Sequence, residues 1–164
     1  LINEEESIIL DSGTTTLAIA LALTKKCIVV TNSLPVTDIL AMRQEVTTLL
    51  TGGEVNRNTF SLLGPMTRES LTGFNADKLF LSATGISVEK GLSTTSLAES
   101  EVKQSMINAA KEVILVAHSE KIGQIFYHTF AKWDKVNRFI TDDKADPGLI
   151  RKIQDRGVEV VLAE

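Results

Sequence analysis

Seven short apolar runs, separated by helix-like segments, constrain the fold of this chain more than any other feature of its sequence. Each run is rich in isoleucine, valine and leucine and shows little polar alternation, which is typical of strands buried on both faces of a parallel sheet. The runs lie at residues 7–10, 27–30, 47–50, 79–83, 113–117, 138–141 and 158–162. Because strands and helices alternate along the chain, we predict an α/β fold with right-handed crossovers: an open, mainly parallel sheet with helices on both faces.

The segments between these runs carry the signals of helix starts. Ser33 precedes a first-turn proline, a combination that favours a helix start. Ser96 and Glu99 have the spacing of a capping box ahead of a second helix, and Asp146 precedes a third. Residues 51–66 fit neither the strand pattern nor the helix pattern, and we expect a loop or a hairpin there.

Size and charge exclude several functions. The 164 residues suffice for one domain, and they contain neither an internal repeat nor a linker. A net charge of −4 and an aromatic content of 5% argue against nucleic-acid binding by this chain itself, which would need clustered lysine and arginine. No apolar run approaches the roughly 18 residues that span a bilayer. The single cysteine, Cys27, lies in an apolar run and cannot form an internal disulfide, so we expect a core residue of a cytoplasmic protein.

More polar groups follow the first apolar run than a strand-to-helix turn requires. The segment contains Asp11, Gly13, Thr14, Thr15 and Thr16, just where a helix is predicted to begin. Free backbone N–H groups, hydroxyls and the helix dipole make such a position suitable for an anion, usually phosphate. The alternative is an ordinary helix cap with threonines in its first turn. The segment is neither a P-loop, which needs a lysine, nor a dinucleotide fingerprint, which needs three spaced glycines.

The other predicted strand ends are also polar, so ligand-binding loops are expected to meet at one edge of the sheet. Lys121 follows the fifth apolar run and is the best candidate for a cation that contacts a bound anion; the alternative is a solvated surface lysine. His118 in the same turn is a candidate proton donor, although a histidine at a strand end is more often structural. Two isolated histidines and one cysteine give no metal-site spacing, and no cofactor is predicted.

Several short motifs are spread along the whole chain. They lie at residues 11–15, 31–33, 52–53, 76–87, 91, 94, 99, 103, 121–123 and 139–143. In their order and spacing, and over essentially all 164 residues, the chain resembles the C-terminal effector-sensing domain of DeoR-type bacterial transcriptional repressors. The resemblance implies a Rossmann-like fold related to ribose-5-phosphate isomerase and glucosamine-6-phosphate deaminase, and a cavity that senses a phosphorylated sugar or polyol.

The resemblance also implies roles for individual residues. Gly13, Thr14 and Thr15 would hold the phosphate, Asn32 would line the pocket, and Lys121 would reach the anion. The candidate ligand-binding residues are Asp11, Gly13, Thr14, Thr15, Thr16, Asn32, Ser33, Gly85, Thr94 and Lys121, with Gly52, Gly53, Glu99 and His118 as further candidates. The family commonly has an aspartate at the position of His118.

A winged helix-turn-helix domain normally precedes this module in the family, and the resemblance implies that it is absent from this chain. Operator DNA would be a partner of that domain, and the sensor would form homo-oligomers. An isomerase is the main alternative function, and an unrelated α/β interaction module is another. Isomerisation needs a carboxylate base at a strand end, whereas residues 82–85 contain none and Glu99 is accounted for by the capping box. We therefore predict a receptor rather than an enzyme.

Overall fold

Twelve strands and five α-helices make up the described part of the chain, residues 1–163, in a computed structural model. The strands are β1 (Ser7–Leu10), β2 (Cys27–Thr31), β3 (Val46–Leu50), β4 (Glu54–Asn56), β5 (Ser61–Leu63), β6 (Ala76–Leu81), β7 (Gly85–Ser87), β8 (Gly91–Thr94), β9 (Ala110–Val116), β10 (His128–Ala131), β11 (Arg138–Asp142) and β12 (Glu159–Ala163). The helices are α1 (Thr14–Ala22), α2 (Leu34–Leu40), α3 (Pro65–Leu71), α4 (Leu97–Asn108) and α5 (Pro147–Gln154). None of these helices has the length and apolar character needed to cross a membrane.

Seven of the strands form one parallel sheet in the order β12-β11-β9-β6-β1-β2-β3. These strands are the seven apolar runs of the sequence, and their ends differ from the predicted ones by at most three residues. The predicted parallel sheet is therefore confirmed. Ser33 and Asp146 cap α2 and α5 as predicted, since each side chain accepts a hydrogen bond from a backbone N–H of the first turn.

Side chains on the two faces of the sheet pack against different helices. On one face Leu81 is buried in a cluster with Met106 of α4. On the other face Phe80 is buried in a cluster with Ala20 of α1 and Leu40 of α2. Neighbouring residues of one strand thus point to opposite faces, as the period of a β-strand requires. The prediction of helices on both faces is confirmed, and it explains why the runs show so little polar alternation.

The order of the strands reverses between β1 and β6. From β1 the chain moves outward through β2 to β3, returns to β6 on the other side of β1, and continues outward to β9, β11 and β12. The connections that follow β1 and β6 therefore lead in opposite directions, and a crevice opens between them at the carboxyl ends of the two strands. Residues 11–16 follow β1, and residues 82–84 follow β6.

Two small antiparallel sheets extend the fold. β4 and β5 form a hairpin within residues 51–66, one of the two structures expected there. β7, β8 and β10 form a three-stranded sheet that the sequence analysis did not predict. The reason is that β7 and β8 are short and rich in glycine, serine and threonine, so no apolar run marks them. Gly91 permits the close approach of β10, because a Cβ atom there would lie 2.2 Å from the carbonyl oxygen of Ala131.

Candidate functional site

A cavity of about 330 Å³ lies in the crevice between the segments that follow β1 and β6. Its walls come from the start of α1, the turn of the β4–β5 hairpin, the segment after β6, the region around the start of α4 and the segment after β9. The lining residues are Ser12, Gly13, Thr14, Thr15, Thr59, Ser82, Ala83, Thr84, Thr95, Glu99, Lys103 and Lys121. Hydroxyls, two lysines and one carboxylate thus meet in one small space.

The N-terminus of α1 contributes free backbone N–H groups to this cavity. The first hydrogen bond of the helix runs from the N–H of Leu17 to the carbonyl oxygen of Gly13, at 3.0 Å. The N–H groups of Thr14 and Thr15 therefore have no acceptor within the helix, and no acidic side chain lies in its first turn. Gly13 has a φ of 153°, a conformation that favours glycine. The partial positive charge of this terminus is suited to an anion.

A buried ion pair joins the segment after β1 to α4. Asp11 and Lys103 are 1% and 6% exposed, and the Lys103 ammonium group contacts a carboxylate oxygen of Asp11. Lys103 also donates to the carbonyl oxygen and the hydroxyl of Ser82, at 3.1 and 3.0 Å. Asp11 accepts from the N–H and hydroxyl of Ser82 and from the N–H of Ser12, at 2.9, 2.7 and 2.7 Å. The charge of Lys103 is therefore balanced by Asp11 within the protein. Through its bonds to Ser82, Asp11 also holds the segment after β1 to the segment after β6.

Lys121 presents a cation that no carboxylate matches. Its Nζ donates to the carbonyl oxygen of Ala83 at 3.0 Å, and within residues 1–163 it forms no salt bridge. Burial lowers the pKa of Lys121 and the positive charge of Lys103 lowers it further, while the more weakly acting charges of Glu120 and Asp11 oppose the shift. An anion in the cavity would stabilise the charged form of this ammonium group.

Glu99, a further candidate of the sequence analysis, places a carboxylate in the cavity. The first half of the predicted capping box is present, since the Ser96 hydroxyl accepts from the N–H of Glu99 at 3.1 Å. The Glu99 side chain instead accepts from the hydroxyl of Thr94 and from Nδ2 of Asn56, the latter at 3.2 Å. The prediction that the capping box accounts for the Glu99 side chain is therefore wrong, and capping no longer excludes a carboxylate base at this site.

The structure brings five of the predicted site residues to the cavity and places nine outside its lining. The five that line it are Gly13, Thr14, Thr15, Glu99 and Lys121. The nine outside the lining are Asp11, Thr16, Asn32, Ser33, Gly52, Gly53, Gly85, Thr94 and His118. Direct contact with a ligand stays a prediction, and the five lining residues are the best placed for it.

Several residues of the second group support the walls of the cavity. The Thr94 hydroxyl holds Glu99, and the Thr16 hydroxyl donates to a backbone carbonyl oxygen at the start of α1 at 3.0 Å. Asn32 donates through Nδ2 to the carbonyl oxygen of Leu62 at 3.0 Å, whereas its buried Oδ1 has no partner among the described residues. These side chains position backbone and carboxylate groups from behind the lining.

The three glycines of the second group are sites of close packing. Thr67 of α3 donates to the carbonyl oxygen of Gly52 at 2.6 Å, and a Cβ atom on Gly53 would lie 2.1 Å from the Thr67 hydroxyl. A Cβ atom on Gly85 would lie 2.6 Å from the carbonyl oxygen of Gln124. A larger residue at Gly53 or at Gly85 would displace the backbone around it.

His118 lies in a neighbouring cavity rather than in the one that Lys121 lines. This second cavity, of about 680 Å³, lies at the carboxyl ends of β9 and β11. His118 Nδ1 is 3.6 Å from Oδ2 of Asp142, and hydrogen bonds from the hydroxyl and N–H of Ser119 lower the pKa of Asp142 to about 2. Three carboxylates, including that of Asp142, line this cavity together with a single lysine. The larger cavity is therefore less suited to an anion than the smaller one.

Sequence analysis did not name seven lining residues of the smaller cavity as ligand contacts, although five of them lie in the motifs at residues 11–15, 76–87 and 103. The seven are Ser12, Thr59, Ser82, Ala83, Thr84, Thr95 and Lys103. Lys103 carried a detectable signal, because it stands four residues after Glu99 and three before Met106, which places all three on one face of α4. Met106 is fully buried on that face. A charged residue on the buried face of a helix is expected to have a buried partner, and here the partner is Asp11.

A parallel α/β sheet with a polar crevice at the reversal of its strand order is typical of domains that bind small molecules. The family model described as "DeoR C terminal sensor domain" matches residues 1–143 of this chain. The chain therefore belongs to the DeoR family of transcriptional regulators, as a sensor domain, and the predicted resemblance is confirmed.

Similar curated proteins are transcriptional regulators over nearly the whole chain. "HTH-type transcriptional regulator GlpR" from Haloferax volcanii is 34% identical over 160 residues, which cover 96% of this chain and 62% of that protein. "Putative aga operon transcriptional repressor" from Escherichia coli O157:H7 is 32% identical over 164 residues, covering 99% and 61%. "HTH-type transcriptional repressor GlcR" from Bacillus subtilis is 30% identical over 165 residues, covering 100% and 64%. The chain thus spans less than two thirds of the length of these relatives.

Similar solved structures share the fold at low sequence identity. The β subunit of eIF2B from Chaetomium thermophilum matches with a TM-score of 0.54 and 12% identity, over 94% of this chain and 49% of that one. Ribose 5-phosphate isomerase A from Neisseria gonorrhoeae matches with a TM-score of 0.50 and 14% identity, over 74% and 47%. The predicted relationship to the isomerase fold is therefore confirmed for the fold alone.

Proposed function

We propose that this domain binds a phosphorylated sugar or polyol in the cavity between the segments after β1 and β6. The phosphate would accept hydrogen bonds from the free N–H groups and hydroxyls of Thr14 and Thr15, and its charge would be matched by Lys121. One observation carries this proposal: Lys121 is half-buried, lacks a carboxylate partner within residues 1–163, and lines the same cavity as the N-terminus of α1. Charge-assisted hydrogen bonds of this kind contribute roughly 1.5–3 kcal/mol each.

The bound ligand would regulate DNA binding by another part of the protein. We propose that a winged helix-turn-helix domain precedes this chain in the whole, cytoplasmic protein. The names of its relatives, which are HTH-type regulators, and their greater length support this proposal. The ligand would favour one arrangement of a homo-oligomer and so alter the spacing of paired DNA-binding domains. It can do so only by binding that arrangement more tightly than the other.

Thermal unfolding against a panel of sugar phosphates tests the proposal. A ligand at 100 times its dissociation constant is expected to add about 2.7 kcal/mol to the free energy of unfolding, which raises the midpoint by several degrees. Each sugar phosphate is measured beside its unphosphorylated parent in phosphate-free buffer. A shift with particular phosphorylated members supports the proposal, whereas equal midpoints across the panel would contradict it.

An aldose–ketose assay on the same samples separates a receptor from an isomerase. Glu99 brings a carboxylate into the cavity, so the absence of a base no longer distinguishes the two functions. The named relatives are regulators, and we expect no turnover above background. Steady turnover that Glu99→Gln abolishes would make the domain an enzyme instead.

Binding of the phosphate is expected to depend on the protonation of Lys121. Burial lowers the pKa of Lys121 from its ordinary value of 10.5, and an anionic ligand would raise it again. Affinity should therefore be full at neutral pH and fall as the pH rises through the lowered pKa, because the ammonium group loses its proton. Calorimetric titration from neutral pH to pH 10.5 measures this loss. Lys121→Met should bind weakly and show no such fall; a wild-type affinity that stays constant over the range would contradict the assignment.

A further inference from the structure

We propose that Glu99 makes the cavity selective for ligands with a single anionic group, and that the end of the ligand away from the phosphate carries hydroxyls. This inference rests on the proposed function and specifies the class of ligand. Glu99 is the only carboxylate in the lining of the described cavity, and it shares that lining with Lys103 and Lys121. A second phosphate or a carboxylate inside this cavity of about 330 Å³ would share its space with the Glu99 carboxylate.

The positive charges around the cavity can compensate one anionic group of a ligand and no more. The ammonium group of Lys103 is matched by the buried carboxylate of Asp11, so it is not available to compensate another negative group. Lys121 and the N-terminus of α1 remain, and one phosphate uses both. A second anionic group would therefore meet the negative charge of Glu99 without a cation to balance it.

The hydrogen-bonding capacity of Glu99 leads to the same ligand class. An ionised carboxylate accepts about four hydrogen bonds and donates none. The Thr94 hydroxyl and Nδ2 of Asn56 occupy one position on each of its two oxygens. The positions that remain accept only from donors, which hydroxyl groups supply and phosphate or carboxylate groups do not.

The position of the carboxylate is maintained by neighbouring elements. Thr94 ends β8, and its hydroxyl also lies 3.5 Å from the hydroxyl of Thr84, another lining residue. Asn56 belongs to the hairpin of β4 and β5. Because partners from two elements hold Glu99, it cannot swing out of the cavity without losing both bonds.

Calorimetric titration of paired ligands tests the proposal. The pairs are ribose 5-phosphate with ribose 1,5-bisphosphate, glucose 6-phosphate with glucose 1,6-bisphosphate, and fructose 6-phosphate with fructose 1,6-bisphosphate. For each monophosphate that binds, the bisphosphate is expected to bind about tenfold more weakly or worse, because two like charges in a partly desolvated cavity repel strongly. The measured quantity is the ratio of the bisphosphate dissociation constant to the monophosphate dissociation constant. Glu99→Gln keeps the shape of the side chain and should reduce this ratio to about threefold or less, mainly by strengthening bisphosphate binding.

Glu101→Gln is the matched control for this experiment. Glu101 lies on the same helix, pairs with Arg68 at 3.2 Å and does not line the cavity. The substitution makes the same change in net charge, so the wild-type ratio should persist. Glu99→Ala serves as a second variant if Glu99→Gln fails to fold, and it should reduce the ratio in the same direction.

The possible results separate this inference from the proposed function. Bisphosphates that bind wild type as tightly as monophosphates, or a ratio that neither Glu99 variant changes, would overturn the selectivity while leaving the phosphate site intact. A reduced ratio in Glu101→Gln would assign the effect to overall charge and would also overturn it. If no monophosphate in the panel binds wild type, the selectivity and the proposed function both fail.

Discussion

Asp11→Ala is expected to lower the free energy of unfolding by about 3–5 kcal/mol, the usual effect of removing one partner of a buried ion pair. The substitution leaves the Lys103 ammonium group uncompensated in a position that is 6% exposed. It also removes the acceptor for the N–H groups of Ser12 and Ser82. Urea unfolding followed by circular dichroism measures the loss.

Two further variants show whether burial of an unpaired charge causes this loss. Asp38→Ala removes an exposed carboxylate from α2 and should change stability by no more than about 0.5 kcal/mol. Asp11→Asn combined with Lys103→Met removes both charges and should recover part of the loss, since neither partner is then left alone. A change below about 1 kcal/mol in Asp11→Ala would mean that solvent reaches the Lys103 ammonium group.

Lys121→Met is expected to weaken ligand binding without lowering stability, whereas Asp11→Ala is expected to lower stability. Binding of a sugar phosphate should weaken by about 10- to 100-fold, the loss of one charge-assisted hydrogen bond of roughly 1.5–3 kcal/mol. Stability should be unchanged or increased, because burial of the Lys121 ammonium group is unfavourable without an anion. Calorimetry measures the affinity, and urea unfolding without ligand measures the stability.

Lys132→Met provides the control for overall charge. Lys132 is exposed and does not line the cavity, so both affinity and stability should remain close to wild type. Unchanged sugar-phosphate affinity in Lys121→Met would place the phosphate elsewhere. A large loss of stability would show instead that Lys121 has a structural role. The two lysines of the cavity thus differ: Lys103 is matched within the protein, whereas Lys121 is available to a ligand.

Local patterns in the sequence predicted the framework of the fold. Strands buried on both faces need continuous apolar runs, so all seven strands of the main sheet were visible in the sequence. Capping residues such as Ser33 marked helix starts, because a side chain that caps a helix contacts N–H groups only two or three residues away. The three-stranded sheet of β7, β8 and β10 was missed, since its strands are short and no apolar run marks β7 and β8.

Part of the proposed phosphate site was also predictable from local sequence. Gly13, Thr14 and Thr15 follow an apolar run and begin a helix, and both features depend on neighbours in the chain. Lys121 was placed correctly at the cavity because parallel strands bring their carboxyl ends to one edge of the sheet. The same rule misplaced His118, because it does not say which neighbouring crevice a side chain enters.

The sequence by itself determined the α/β class, the seven strands and the anion-suited start of α1, because each depends on residues close together in the chain. It also determined the resemblance to DeoR sensors, which depends on the order of motifs along the chain and needs no knowledge of how they pack. Only the tertiary structure decided that Lys103 is matched by Asp11, that Glu99 faces the cavity, and that Lys121 is the lysine left for a ligand. Asp11 and Lys103 are 92 positions apart, and they meet because β1 lies beside β6, a strand that α4 packs against. The charge available to a ligand depends on such distant pairs, which no local pattern records.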